Sequence, residues 1–101
     1  EVLYYEAMGF CEHGKGVEFL RDGKSQIDGQ VAVNPSGGLI SRGHPLGATG
    51  VAQIAETFWQ LTCQAGKRQV KNPQYALTHV TGGGISGVDN GACGVHIFSA
   101  V

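Results

Sequence analysis

The chain has 101 residues, a formal charge of −1 and 42% apolar content, which bounds it to one small domain or a piece of a larger one. No apolar run approaches the ~18–20 residues of a membrane span. No basic block invites nucleic acid or an anionic membrane as partner, and no signal-peptide pattern is visible. Cys11, Cys63 and Cys93 are odd in number and widely spaced, which argues against a disulfide framework and for a reducing compartment. Most of them read as small buried apolar side chains.

Residues 1–12 read as a helix with a rough apolar face of Val2, Leu3, Tyr5 and Phe10, ended by Gly14 and Gly16. Glu1–Met8 already has mid-helix character with no capping residue ahead of it, so upstream sequence is expected. Val17–Leu20 is short and ambiguous. Asp22-Gly23 and Asp28-Gly29 are turn signals. Gln30-Val31-Ala32-Val33-Asn34 alternates weakly and is valine-rich, which predicts a strand.

The next segment, Asn34 to Gly50, holds five glycines, two prolines and His44. It leads into the best helix of the chain, predicted over 46–65. Pro45 suits a first helical turn. Val51, Ile54, Ala55, Phe58 and Leu61 or Thr62 recur at helical spacing. Gly66 is the expected stop, with Lys67 and Arg68 near the negative end of the helix. Residues 75–80 and 93–98 read as strands able to pair as an antiparallel hairpin, and residues 81–91 between them are too glycine-rich to be regular throughout. The fold class is α/β.

Two histidine–glycine sites stand out. His44 lies at or beside the expected N-cap of the 46–65 helix, where the positive end of the dipole disfavours imidazolium. A neutral imidazole there can take a proton from a nucleophile or donate to an oxyanion. A histidine that only caps the turn is the alternative; the flanking glycines, which let substrate approach closely, favour chemistry. His79 ends a strand just before Gly82-Gly83-Gly84, whose backbone N–H groups can form an oxyanion nest. A strand-end histidine satisfied by backbone is an equal reading by chemistry alone. None of the cysteines sits at a helix N-terminus, where a thiolate is favoured, so an acyl-accepting nucleophile is expected outside this sequence.

Other matches fail. Gly82-x-Gly84-x-x-Gly87 has dinucleotide-fingerprint spacing but no helix follows it. Gly38 to Gly43 has phosphate-loop spacing, but His44 stands where lysine is required. Cys11-x-His13 and Cys93-x-x-His96 are isolated pairs, so no metal site is predicted; His13 and His96 read as surface residues.

Asn34-x-x-Gly37-Gly38 followed by Gly43-His44-Pro45-x-Gly47-x-x-Gly50 resembles the C-terminal histidine motif of thiolases. Leu77-Thr78-His79-x-x-Gly82-Gly83-Gly84 resembles the last catalytic loop of the sterol-carrier-protein/lipid-transfer branch, with His79 where most thiolases carry cysteine. Tyr5 to Cys11 resembles the helix that follows that branch's His-Asp-Cys-Phe motif. The resemblance covers nearly the whole chain but only the last quarter of a full thiolase. It implies a layered αβαβα fold, of which residues 1–101 are the C-terminal portion, with the nucleophilic cysteine in an N-terminal half that is absent. It implies that His44 activates that cysteine and binds the thioester oxygen. It also implies that His79 assists proton transfer, and that Gly82, Gly83 and Gly38 line the oxyanion or substrate site. Thr81 stands where the usual loop has its oxyanion glycine. The implied activity is cleavage or formation of the C–C bond of a 3-ketoacyl-CoA, with the coenzyme A thioester as substrate and no cofactor. The implied partners are acyl-CoA, the remainder of the thiolase fold, a second copy in a homo-oligomer, and a partner domain. The rivals are a CoA-linked side-chain retro-aldolase and a non-catalytic acyl-CoA or lipid-binding module. The chain alone is expected to be inactive and to expose a large apolar surface. Ser99-Ala100-Val101 is not a peroxisomal ending.

Overall fold

The computed structural model describes residues 1–86 and 89–100, with side chains placed outside 85–90. The chain divides into two compact units, residues 1–35 and 36–101.

In the first unit, α1 spans Val2–Ala7 and α2 spans Gly16–Arg21. The helix expected over 1–12 stops early because Gly9 takes φ +72°. Gly9 N–H then donates to Glu6 O at 3.0 Å and Phe10 N–H to Tyr5 O at 2.8 Å, the double bond of a Schellman stop. Gly9, not Gly14 or Gly16, is therefore the terminator. Gly16 has a different task. A Cβ there would lie 2.7 Å from Val2, so only glycine lets α2 lie this close to α1. The core is aromatic: Tyr5 is fully buried, its ring centroid 5.1 Å from that of Phe19, and Phe10 stacks on Phe19 at 6.4 Å. Glu1 accepts a hydrogen bond from the Tyr5 hydroxyl, whose pKa burial and this contact push up. Glu6 accepts from Gly16 N–H at 3.0 Å and pairs with the exposed His13 at 3.0 Å. Backbone N–H groups of Gly14 and Gly16, then His13, hold its carboxyl below the usual glutamate range.

Residues 30–34 do not form the expected strand. Val31 and Val33 N–H donate to Lys24 O and Ser25 O, both at 3.0 Å, inside the preceding turn. Asn34 then takes φ +48° and ends the extended run. Local turn bonding satisfies the backbone, and the valines' preference for strand has no ladder to join.

In the second unit, α3 (Gly38–Arg42) and α4 (Thr49–Leu61) precede a 3₁₀ turn at Gly66–Arg68, and β1 (Tyr75–Ser86) pairs antiparallel with β2 (Asp89–Ser99). The hairpin is the predicted one, but longer. The glycines of 81–86 join the ladder, with Gly82 opposite Ala92 and Gly84 opposite Asn90, and a bulge follows between Gly84 and Ser86. Gly87 and Val88, including the last glycine of the rejected fingerprint, lie outside the described residues. α3 is a short helix inside the glycine-rich segment, with Gly37 (φ +91°) before it and Gly43 (φ +77°) after it.

The helix predicted over 46–65 begins later and ends earlier. Pro45 O accepts from Ala48 and Thr49 N–H at 3.1 and 3.2 Å, so 45–48 form a turn ahead of the helix. At the far end Cys63 takes φ +59°, and Gln64 N–H donates to Trp59 O at 2.7 Å. This is again a Schellman stop, built on a non-glycine residue ahead of Gly66. Gln60, nearly fully buried, accepts from Val70 N–H (2.9 Å) and donates to Arg68 O (2.8 Å), tying the chain after the helix back onto it. Arg68 pairs with Glu56 and lies over the Trp59 ring at 5.4 Å.

α4 packs on β1. The buried residues of α4 are Thr49, Thr57 and Gln60. Val51 (68% exposed), Ile54, Phe58 (57%) and Trp59 lie open. Ile54, Phe58 and Leu61 of that apolar stripe line a cavity together with Phe98 and Ser99 at the end of the hairpin, so the stripe is only partly covered. On the hairpin, alternation and register put Thr78, Val80, Gly94, His96 and Phe98 on one face, and Leu77, His79, Thr81, Cys93, Val95 and Ile97 on the other. Thr78 is buried, and Val80 reaches toward Gly50 of α4. Leu77, Val95 and Ile97, on the second face, are exposed. The expected large apolar surface is thus present on both elements.

Candidate active site

The histidines predicted from sequence are His44, between α3 and α4, and His79, in β1. His44 is not a helix cap. It lies five residues ahead of Thr49, and its Nδ1 sits 2.8 Å from Thr49 Oγ1. That hydroxyl, 3% exposed as a residue, also lies 3.3 Å from Pro45 O, which can accept its only proton. With the hydroxyl proton on Pro45 O, its lone pairs accept from Nδ1–H of His44; in the other tautomer the hydroxyl donates to Nδ1 instead. Where Nδ1 carries the hydrogen, the lone pair of the neutral ring is on Nε2. Gly43 (φ +77°) and Gly47 (φ +81°) flank this turn, and a Cβ at either would meet nothing within 4 Å. They are required by their left-handed backbone rather than by close packing.

His79 lies opposite Val95, with Thr81 opposite Cys93. Cys93 is thus the diagonal neighbour of His79 on the same face, and its Sγ lies 3.3 Å from His79 Nε2. The backbone of His79 is held too: Gln53 Nε2 donates to His79 O at 2.8 Å. Thr49 and Gln53 are four residues apart, one turn of α4, so a single face of that helix holds the ring of His44 and the backbone of His79. Gly82 sits in the ladder, and Gly83 has φ +64°. Gly38 is buried at the start of α3 with φ +63°.

The cysteines depart from expectation. Cys11 is half-buried and Cys63 and Cys93 are exposed; all three are free thiols. Cys11 has its pKa raised, by burial and then by the charge of Glu6. No group of three or more His, Cys, Asp or Glu among the described residues is placed to hold a metal ion. No described helix is long and apolar enough to cross a membrane.

A family model for the thiolase C-terminal domain matches residues 1–90. The chain belongs to this thiolase C-terminal family. It is 52% identical over 98 residues to an acetyl-CoA acetyltransferase of Methanothermobacter thermautotrophicus, an alignment covering 97% of this chain and 24% of that protein. It is 54% identical to human sterol carrier protein 2, over 81% of this chain and 15% of that one. It is 51% identical to the benzoylsuccinyl-CoA thiolase subunit BbsB of Thauera aromatica, over 83% of this chain and 22% of that subunit. The chain thus spans a quarter or less of the length of these relatives. The His44 turn and the closing hairpin both lie in the unit of residues 36–101 that contains α4. The sequence did not mark Thr49, Gln53 and Cys93 as functional. Thr49 and Gln53 lie outside the apolar periodicity of α4, and only strand register brings Cys93 to His79.

Proposed function

We propose that this chain is the C-terminal part of a thiolase that makes or breaks the C–C bond of a 3-ketoacyl-CoA through an acyl-cysteine supplied by another part of the enzyme. The observation that carries this reading is the placement of His44. Its Nδ1 is engaged by the buried Thr49 hydroxyl at 2.8 Å, which holds the ring and leaves Nε2 as the atom for a proton-transfer partner. A base so oriented, in a turn kept open by glycines, suits removal of the proton of a nucleophilic thiol. The same nitrogen, once protonated, donates to the thioester oxygen. His79 assists proton transfer at the second site, and Gly82, Gly83 and Gly38 line the space where substrate backbone or thioester lies.

The exposed faces of α4 and the hairpin support the fragment reading, because a chain that ended its packing here would leave Val51, Phe58, Leu77 and Ile97 in water. The remainder of the thiolase fold covers them, and the assembled enzyme is a homo-oligomer with acyl-CoA as substrate. The test is thiolysis by the intact enzyme. His44→Ala is expected to lower kcat by at least a hundredfold, in line with the roughly 100-fold to 10,000-fold of general acid–base catalysis. An unchanged kcat in His44→Ala overturns the assignment.

A second reading is favoured by the relatives named for sterol carriage and lipid transfer: an acyl-CoA or lipid-binding module without turnover. It predicts that the intact protein binds acyl-CoA, that His44→Ala weakens binding, and that there is no thiolysis to lose.

A further inference from the structure

Three polar residues of α4, Thr49, Gln53 and Gln60, each hold another part of their unit. Thr49 meets His44 Nδ1 at 2.8 Å, and Gln53 Nε2 donates to His79 O at 2.8 Å. Gln60 closes the chain that follows the helix. The Gln60 bonds are architecture, whereas the other two end on the histidines of the candidate site. A half-buried amide at a helix–strand contact carries a desolvation cost that an apolar side chain would avoid, unless its bond is made. Here it is made to a carbonyl oxygen, which can only accept, so Nε2 must be the end that faces the strand.

That bond adds something the sheet cannot supply. The ladder fixes β1 against β2, with His79 opposite Val95, but it does not fix the hairpin against the helix. Val80 lies beside Gly50 of α4, where a Cβ would stand 4.0 Å from its Cγ1. Such an apolar contact is non-directional and permits sliding. The Gln53 bond is directional and grips β1 at His79 itself. The point from which the His79 ring projects is thereby set one helical turn from the residue that holds the His44 ring.

We infer that Gln53 is a positioning residue for the carbon–carbon step: acting through the backbone of His79, it registers that histidine against His44. This role rests on the thiolase reading above. Acyl transfer to the nucleophilic cysteine uses His44 and does not depend on Gln53. The step in which the acyl group leaves that cysteine for C2 of a second thioester needs both histidines in place, so a displaced strand slows it. A shift of about 1 Å in a positioned group is enough to be costly there.

The experiment uses the intact enzyme and reads two steps. Acetylation by acetyl-CoA is followed from the protein's mass. Formation of the 3-ketoacyl-CoA is followed in a single turnover of the acetylated enzyme with fresh acetyl-CoA. Gln53→Met keeps the length and helix preference of glutamine and removes the donor. It is expected to acetylate within about twofold of wild type and to form product about fivefold to tenfold more slowly, the scale of one lost hydrogen bond. Gln53→Lys, unbranched and carrying donors, is expected to recover product formation to within about threefold of wild type. A merely structural role would slow both steps together and give no recovery with lysine. Product formation within about twofold of wild type in Gln53→Met overturns the positioning role and leaves the thiolase reading intact. Equal losses in both steps, or a lysine variant as slow as the methionine one, do the same. A wild-type protein that never acetylates overturns the thiolase reading itself, and the positioning role with it.

Discussion

Thr49→Val tests the device that orients His44. Valine keeps the branched shape of threonine and removes only the hydroxyl, so packing at this buried position on α4 is preserved. Two interactions disappear, the 2.8 Å contact with His44 Nδ1 and the 3.3 Å bond to Pro45 O. His44 itself is exposed, so water can replace part of what is lost, and the penalty stays near the net value of one hydrogen bond, about 1 kcal/mol. If that term acts on the orientation of the base in the transition state, kcat falls about fivefold to tenfold with KM little changed. Thr49→Ser restores the oxygen and is expected to return kcat to within about twofold of wild type. Steady-state thiolysis by the intact enzyme, with circular dichroism as a check on folding, measures all three proteins. A wild-type kcat in Thr49→Val would refute the orienting role. A Thr49→Ser protein as slow as Thr49→Val would assign the effect to the methyl group instead.

Other outcomes follow from the packing. Gln60→Leu removes the donor to Arg68 O and the acceptor for Val70 N–H inside a buried site, and is expected to destabilise by about 2–4 kcal/mol, read as a lower urea midpoint. Gly16→Ala drives a Cβ to within 2.7 Å of the Val2 backbone oxygen, so the α1–α2 contact must open; a loss of about 1–3 kcal/mol is expected, and an unchanged melting temperature would contradict it. Glu6 has a folded pKa below its unfolded value, so its contribution is present above the ordinary glutamate range and disappears as pH falls through the lowered folded value. Glu6→Gln is therefore expected to lose stability at neutral pH and to flatten the acid limb of the stability–pH curve.

The sequence carried the α/β class, the closing hairpin and the His44 turn, because each rests on local signals: valine- and threonine-rich runs, a proline turn, clustered glycines; it ended the strand at His79, whereas β1 continues through the glycines to Ser86. It misplaced helix ends where backbone geometry decides. Gly9 stops α1 ahead of the glycines at 14 and 16, and Cys63 adopts a left-handed backbone that nothing in its side chain announces. The strand expected at 30–34 fails because Val31 and Val33 bond back into the turn at 24–25. The deeper difference concerns α4. Periodicity correctly finds an apolar stripe through Val51, Ile54 and Phe58, but periodicity does not say what the stripe faces. Here Ile54 and Phe58 border the end of the hairpin but stay partly open, while the polar Thr49 and Gln53 beside the stripe reach His44 and the backbone of His79. Cys93 illustrates the same limit, since its relation to His79 depends on a strand register that no local pattern fixes.

The central claim is that His44 is a base waiting for a cysteine elsewhere in the enzyme. Its most direct test is the mass of the intact protein after brief exposure to acetyl-CoA, with and without His44→Ala. The account predicts one acetyl group on a single cysteine outside this sequence in the wild type, formed at least a hundredfold more slowly in the variant. An acetyl group that appears at the same rate in both proteins, or one that lands on Cys11, Cys63 or Cys93, would contradict it.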